Sequence, residues 1–161
     1  MTLQGGSLAI GTPAPLCLRF RSAPLEIRGA LERVADWLRA QRPESPPARD
    51  LELVLAELLN NISDHSYEGT PGPIRLLLSR RGDWVHCSIE DEGKPLEAKF
   101  LPTKCSAVPL PDRDRLPERG YGWVMVRKLA RDFDFERCEG RNRLGFRVLL
   151  SFPETEAKTG G

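Results

Sequence analysis

Leu51, Val54, Leu55, Leu58, Leu59 and Ile62 recur at intervals of three and four residues, the spacing that lays one apolar stripe along an α-helix. The pattern predicts a helix from Leu51 to near Tyr67, where Gly69, Pro71, Gly72 and Pro73 end it. Leu25, Ile27, Ala30, Leu31, Val34 and Leu38 mark an earlier helix over Ala23–Gln41, stopped by Pro43, Pro46 and Pro47. Ile74–Ser79 and Trp84–Glu90 read as paired strands across the turn Arg81-Gly82-Asp83, and Leu16–Phe20 as a short strand before them. A third helix opens after Gly120–Gly122, with Met125, Val126, Leu129, Ala130 and Phe133 along one side. Phe133–Cys138 and Arg143–Phe152 then form a closing hairpin, with Glu139–Asn142 as its turn.

Runs of strands beside helices imply an α+β, two-layer sandwich: one mixed, mostly antiparallel sheet with three helices on one face. The other face is left exposed or used for association. Residues 1–15 and 154–161 read as tails, and 16–153 as one domain. Between Asp91 and Arg119 the periodicity lapses. Pro95, Pro102, Pro109, Pro111 and Pro117 alternate there with six Lys or Arg residues. So long a stretch without a pattern inside a compact domain reads as a lid, about 94–119, or as disorder.

Charge excludes more than it identifies. Lys+Arg 24 against Asp+Glu 23 leaves a net charge of +1, without the basic excess of a nucleic-acid or polyanion binder. No apolar run approaches the roughly 20 residues that span a bilayer, and Met1–Gly11 lacks the charged and apolar regions of a secretory leader. The expected compartment is the cytoplasm, with neither membrane nor nucleic acid as direct partner. Cys17, Cys87, Cys105 and Cys138 are too far apart for a C-x-x-C pair and read as isolated thiols.

Three short constellations carry chemistry. Glu57 and Asn61 stand four residues apart on the second helix, close enough to act on one object. Asp91-Glu92-Gly93 follows an apolar strand. A carboxylate there can accept a hydrogen from a base edge, and a glycine lets the backbone pass close to a ring. Gly120-Tyr121-Gly122 opens the third helix, where bare N–H groups and the helix dipole favour phosphate. Each alone is weak evidence, being more often a solvated pair, a turn and a helix entry. Together, in this order and on these elements, they are specific.

At these residues the chain resembles the GHKL (histidine kinase-like, Bergerat-fold) ATPase superfamily. Glu57-Leu-Leu-Asn-Asn61-Ile-Ser-Asp-His65-Ser-Tyr67 looks like its N-box, Asp91-Glu-Gly93-Lys-Pro95 like its first glycine box and Glu118-Arg119-Gly120-Tyr121-Gly122 like its second. Within the superfamily the chain is most similar to bacterial anti-sigma factors that are serine-protein kinases. It shares their His-x-Tyr ending of the N-box, the Pro after the first glycine box, and the run E-R-G-x-G-W-x-x-V-R-K-L. The resemblance spans roughly Leu16 to Phe152.

The resemblance implies ATP and Mg²⁺ as cofactors, with Asn61 on the metal and Glu57 as the catalytic base for a serine hydroxyl. It places Asp91 on the adenine amino group and Gly93, Gly120, Tyr121 and Gly122 beside the nucleotide. Arg119 is placed on phosphate charge, and the basic lid over the triphosphate. It further implies a STAS-domain anti-sigma factor antagonist as substrate, a sigma factor or other regulator as client, and a homodimer. Two alternatives stay open: a nucleotide-dependent binding module without kinase activity, and the ATPase core of a histidine kinase. His65, set on the apolar side of its helix by simple periodicity, is expected to be a packed residue and not a phosphoacceptor. Trp84 and Trp123 are likewise expected to pack.

Overall fold

A computed structural model describes residues 13–41, 49–96 and 121–150. The elements in chain order are β1 (Leu16–Arg21), α1 (Pro24–Gln41), α2 (Arg49–Asn61), β2 (Pro73–Arg81), β3 (Trp84–Asp91), α3 (Tyr121–Leu129), β4 (Ala130–Cys138) and β5 (Arg141–Leu149). Five strands form one sheet in the order β1-β2-β3-β5-β4, and every neighbouring pair is antiparallel. Of the expected tails and lid, residues 1–12, 97–119 and 154–161 fall outside the described residues; within the described part, the Ala14 carbonyl accepts the Trp37 ring N–H at 2.9 Å and the Lys94 N–H donates to the Ser66 carbonyl at 2.8 Å.

Alternation decides which face is covered. Ile74, Leu76 and Leu78 of β2, Val85, Cys87 and Ile89 of β3, and Leu144, Phe146 and Val148 of β5 are all buried, while the residues between them are half-buried or exposed. Against them pack Ile27, Ala30, Val34 and Leu38 of α1, the Leu51–Leu59 stripe of α2 and Val126 of α3, in one continuous core. Each fully buried Leu or Val contributes about 1.5–3 kcal/mol relative to exposure. α2 carries five such residues and so anchors the helical layer.

The open face is mostly charged, with Leu77 and Leu149 exposed among the charges. Arg75 pairs with Glu90 at 3.4 Å and Arg143 with Glu136 at 2.9 Å. Arg147 pairs with Asp132 and lies 4.2 Å from the ring centre of the half-buried Trp84. Solvent screens such pairs, so they keep the face soluble more than they hold the fold.

Three local expectations are corrected. The second helix does not run on as an α-helix to Tyr67: Ile62–Ser66 form a π-helical turn, closed by the Tyr67 N–H on the Ile62 carbonyl at 3.1 Å. A π turn holds one residue more than an α turn. The inward direction therefore passes from His65, which is exposed, to Ser66, which is 2 % exposed.

Ala130 and Phe133 belong to β4 and not to α3. The helix ends at Leu129, and the strand absorbs the change of period in a register shift between Arg131 and Asp134, where Asp132 takes φ +54°. Met125 is 39 % exposed instead of packed. The closing turn is also shorter than expected. It is Glu139-Gly140, both with positive φ (49° and 76°), the pairing that matches the twist of a two-residue hairpin.

Candidate functional site

α2 is the rail on which the site is built. Its apolar stripe is fixed against the sheet, so Glu57 and Asn61 on the stripe's edge are held at the rim, half-buried, one turn apart. Among the described residues, neither side chain makes a hydrogen bond or ion pair. Glu57 faces the start of α3. A Cβ built on Gly122 would collide with the Glu57 carboxylate, so only a residue without a side chain lets this carboxylate lie against the helix entrance.

The π turn continues the rail. A Cβ on Gly93 would meet the Ser66 carbonyl oxygen at 2.5 Å. The backbone leaving β3 is thus laid directly on the end of the helix that carries Asn61. The Lys94 N–H donates to the Ser66 carbonyl at 2.8 Å, and the Glu92 N–H donates to the Tyr67 hydroxyl at 2.8 Å. That hydroxyl in turn donates to the Pro73 carbonyl at 2.6 Å. Burial, the largest cause, raises the Tyr67 pKa, so it stays a neutral donor at physiological pH.

Asp91 sits at the inner end of β3, 3 % exposed. Its Oδ1 accepts the Gly93 N–H and the Asn142 amide N–H, each at 2.9 Å. The Ser66 hydroxyl lies near enough to favour the ionised form, though it makes no well-formed bond of its own. Burial pushes the Asp91 pKa up. Asn142, Gly93, Ser66 and the charge of Arg137 pull it back, without cancelling the burial.

The structure therefore strings Gly122, Glu57, Asn61, Ser66, Gly93 and Asp91 along one edge of the helical layer. Arg119 and Gly120 lie outside the described residues. Tyr121 opens α3 by its backbone, and its side chain is likewise outside them. A depression of about 210 Å³ is found elsewhere, on the side of Arg19, Arg75, Glu90 and Arg141. It holds none of Glu57, Asn61 or Gly122, and reaches this chemistry only through Asp91.

Sequence reasoning missed Asn142, Ser66 and Arg137. Asn142 had a legible signal. It falls in step with Leu144, Phe146 and Val148, and a polar side chain in the buried phase of a strand needs a partner. Ser66 had none, because the π turn alone brings it inward.

Residues 20–148 match the histidine kinase-like ATPase domain. The chain belongs to that family. Domains of the histidine kinase-like ATPase family bind ATP, typically with Mg²⁺. Among solved structures the chain is similar to the histidine kinase domain of the blue-light-activated histidine kinase EL346 of Erythrobacter litoralis. That likeness has 16 % identity and a TM-score of 0.45, and covers 77 % of this chain and 61 % of that one. This ATPase domain thus spans about three fifths of the length of the solved chain it matches. No curated protein matches it. No helix among the described residues is long and apolar enough to cross a membrane.

Proposed function

We propose that this histidine kinase-like ATPase domain is an ATP-dependent serine-protein kinase of the anti-sigma type, acting in the cytoplasm as a homodimer. Its substrate is a serine on a STAS-domain anti-sigma factor antagonist. Phosphorylation adds charge to that antagonist and releases it, freeing the kinase to hold a sigma factor or other regulator. One observation carries the reading: the Glu57 carboxylate, without a partner among the described residues, lies against the glycine that opens α3.

The residues fit the nucleotide and its metal. Among the described residues, the Asn61 amide makes no hydrogen bond and no group of three His, Cys, Asp or Glu side chains could hold a metal by itself. An ion at Asn61 would therefore take its remaining ligands from phosphates and water, as suits Mg²⁺. Asp91 is a buried acceptor for an adenine amino group. When bound, Mg·ATP supplies the phosphoryl group to be transferred.

The protein's own part is positional and acid–base. The bare backbone at Gly122 holds phosphate at a helix entrance. Gly93 lets the base approach the turn. Glu57 orients an incoming serine hydroxyl and takes its proton.

Purified protein, labelled ATP and a STAS-domain partner test this directly. The expected result is label on a partner serine, with Glu57→Gln binding nucleotide as tightly as wild type but transferring about 10²- to 10⁴-fold more slowly. Full-rate transfer by that variant removes Glu57 from the role. Nucleotide binding with no label on any partner favours a regulatory binding module. Acid-labile label on the protein itself favours the core of a histidine kinase.

A further inference from the structure

Three residues on three different strands form a single row under the Asp91 turn. Asp91 on β3 stands directly opposite Asn142 on β5, and Asn142 stands directly opposite Arg137 on β4. Asn142 is 1 % exposed. Its Nδ2 donates to Asp91 Oδ1 and to the Lys94 carbonyl, both at 2.9 Å, and its Oδ1 accepts from Arg137 Nη1 at 2.6 Å. The same Nη1 donates to the Gly93 carbonyl at 3.2 Å.

An amide has two faces of opposite polarity, and here three partners agree on which way it points. The two acceptors, Asp91 and Lys94 O, demand the NH₂ group. The cation demands the oxygen. If Arg137 is removed, the amide oxygen loses the cation that holds it, and only Asp91 and the Lys94 carbonyl still orient the group. The Gly93 peptide would be released at the same time, since its carbonyl is held by Arg137 and its N–H by Asp91. Among the described residues, both hydrogen bonds that Asp91 accepts fall on Oδ1, so Oδ2 is used by neither.

We propose that Arg137 and Asn142 are positioning residues for purine recognition: Arg137 orients the Asn142 amide, and Asn142 fixes Asp91 so that Oδ2 meets the amino group of adenine. Guanine presents a carbonyl oxygen at that place, and two acceptors facing each other in a buried site lose a bond and gain a repulsion. The relay thereby sets selectivity as well as affinity. The inference rests on the nucleotide-site reading above and names residues that act on it from a distance.

The test is calorimetry of the full-length chain with Mg·ADP and Mg·GDP, on wild type, Arg137→Met and Arg137→Lys, with melting temperature as a control. Arg137 is exposed, so its replacement leaves the core intact. Wild type is expected to prefer ADP. Arg137→Met is expected to keep its melting temperature within a few degrees while its ADP-over-GDP preference falls about tenfold, the scale of one charge-assisted hydrogen bond. One nitrogen serves both acceptors, so the single ammonium of Arg137→Lys is expected to stay within about threefold of wild type.

A preference unchanged within twofold in Arg137→Met overturns the relay and leaves the nucleotide site standing. Equal loss for ADP and GDP reduces Arg137 to a structural role and also overturns it. A wild type that binds neither nucleotide, or both alike, overturns the underlying reading and this proposal with it.

Discussion

The two glycine turns are built in opposite ways. Gly93 rests on backbone: a side chain there would strike the Ser66 carbonyl and its neighbouring atoms, which belong to a hydrogen-bonded turn and cannot step aside. Gly122 rests on the end of the Glu57 side chain, which can swing away. Around Gly93 and Asp91, donors from Glu92, Gly93, Lys94, Arg137 and Asn142 find acceptors on the turn itself, on Asn142 or on the π turn beside it. Around Gly122, Glu57 and Asn61 have no such bonds among the described residues. On the proposed reading, the base-reading end is held by its own bonds before any ligand arrives, whereas the phosphate end leaves Glu57 and Asn61 without such bonds among the described residues. Recognition gains from a fixed acceptor, because ordering it in advance removes that cost from binding. Transfer needs groups still able to engage a substrate.

Identical substitutions should therefore have different consequences. Gly93→Ala is expected to lose about 3 kcal/mol of stability in urea titration, the upper range for overpacking, and adenine-nucleotide affinity with it. Unchanged stability would mean that the turn is looser than drawn. Gly122→Ala should fold normally, within about 0.5 kcal/mol, because only a flexible side-chain end has to move. Its phosphotransfer to a partner should fall about tenfold to a hundredfold, since the displaced group is the proposed base. Normal turnover in a well-folded Gly122→Ala protein would sever Glu57 from the helix entrance.

Asp91 sharpens the contrast by pH. Its folded pKa is raised by burial above the ordinary carboxylate value. The native state thus holds a proton more tightly than the unfolded chain. This group's stabilising contribution is fully present below the unfolded pKa and is lost as pH rises through the folded one. Asp91→Asn removes that dependence, so relative to wild type the variant should gain stability on going from about pH 4 to pH 7. Urea midpoints at the two pH values check the sign, and a relative loss over that interval contradicts a net burial cost. The smallest effect belongs to the open face. Breaking the exposed Arg143–Glu136 pair with Glu136→Gln should cost at most about 0.5 kcal/mol and diminish further in high salt.

Much of this was legible in the residues. The α2 stripe, the paired strands β2 and β3 and the positions of Glu57, Asn61, Asp91, Gly93 and Gly122 follow from periods of 3.6 and 2 and from turn residues, all readable within a few positions of chain. The end of α2 was not legible. One extra residue in a turn exchanges His65 for Ser66, and the apolar pattern tolerates either path because Ile62 is buried in both. The start of β4 was hidden because Ala130 and Phe133, three apart, satisfy a helical stripe, and only the register shift between Arg131 and Asp134 turns both inward on a strand.

The sequence by itself placed a carboxylate and an amide on the second helix, a second carboxylate at a strand end and bare-backbone bends beside them, because local periodicity puts each on its own segment. Only the tertiary structure decided which of them touch. Glu57 meets a glycine 65 residues further on, and Asp91 meets Asn142 across a strand register spanning 51 residues. Such partners are chosen by the pairing of whole strands and the burial of the face they share, and no window of neighbouring residues contains that information.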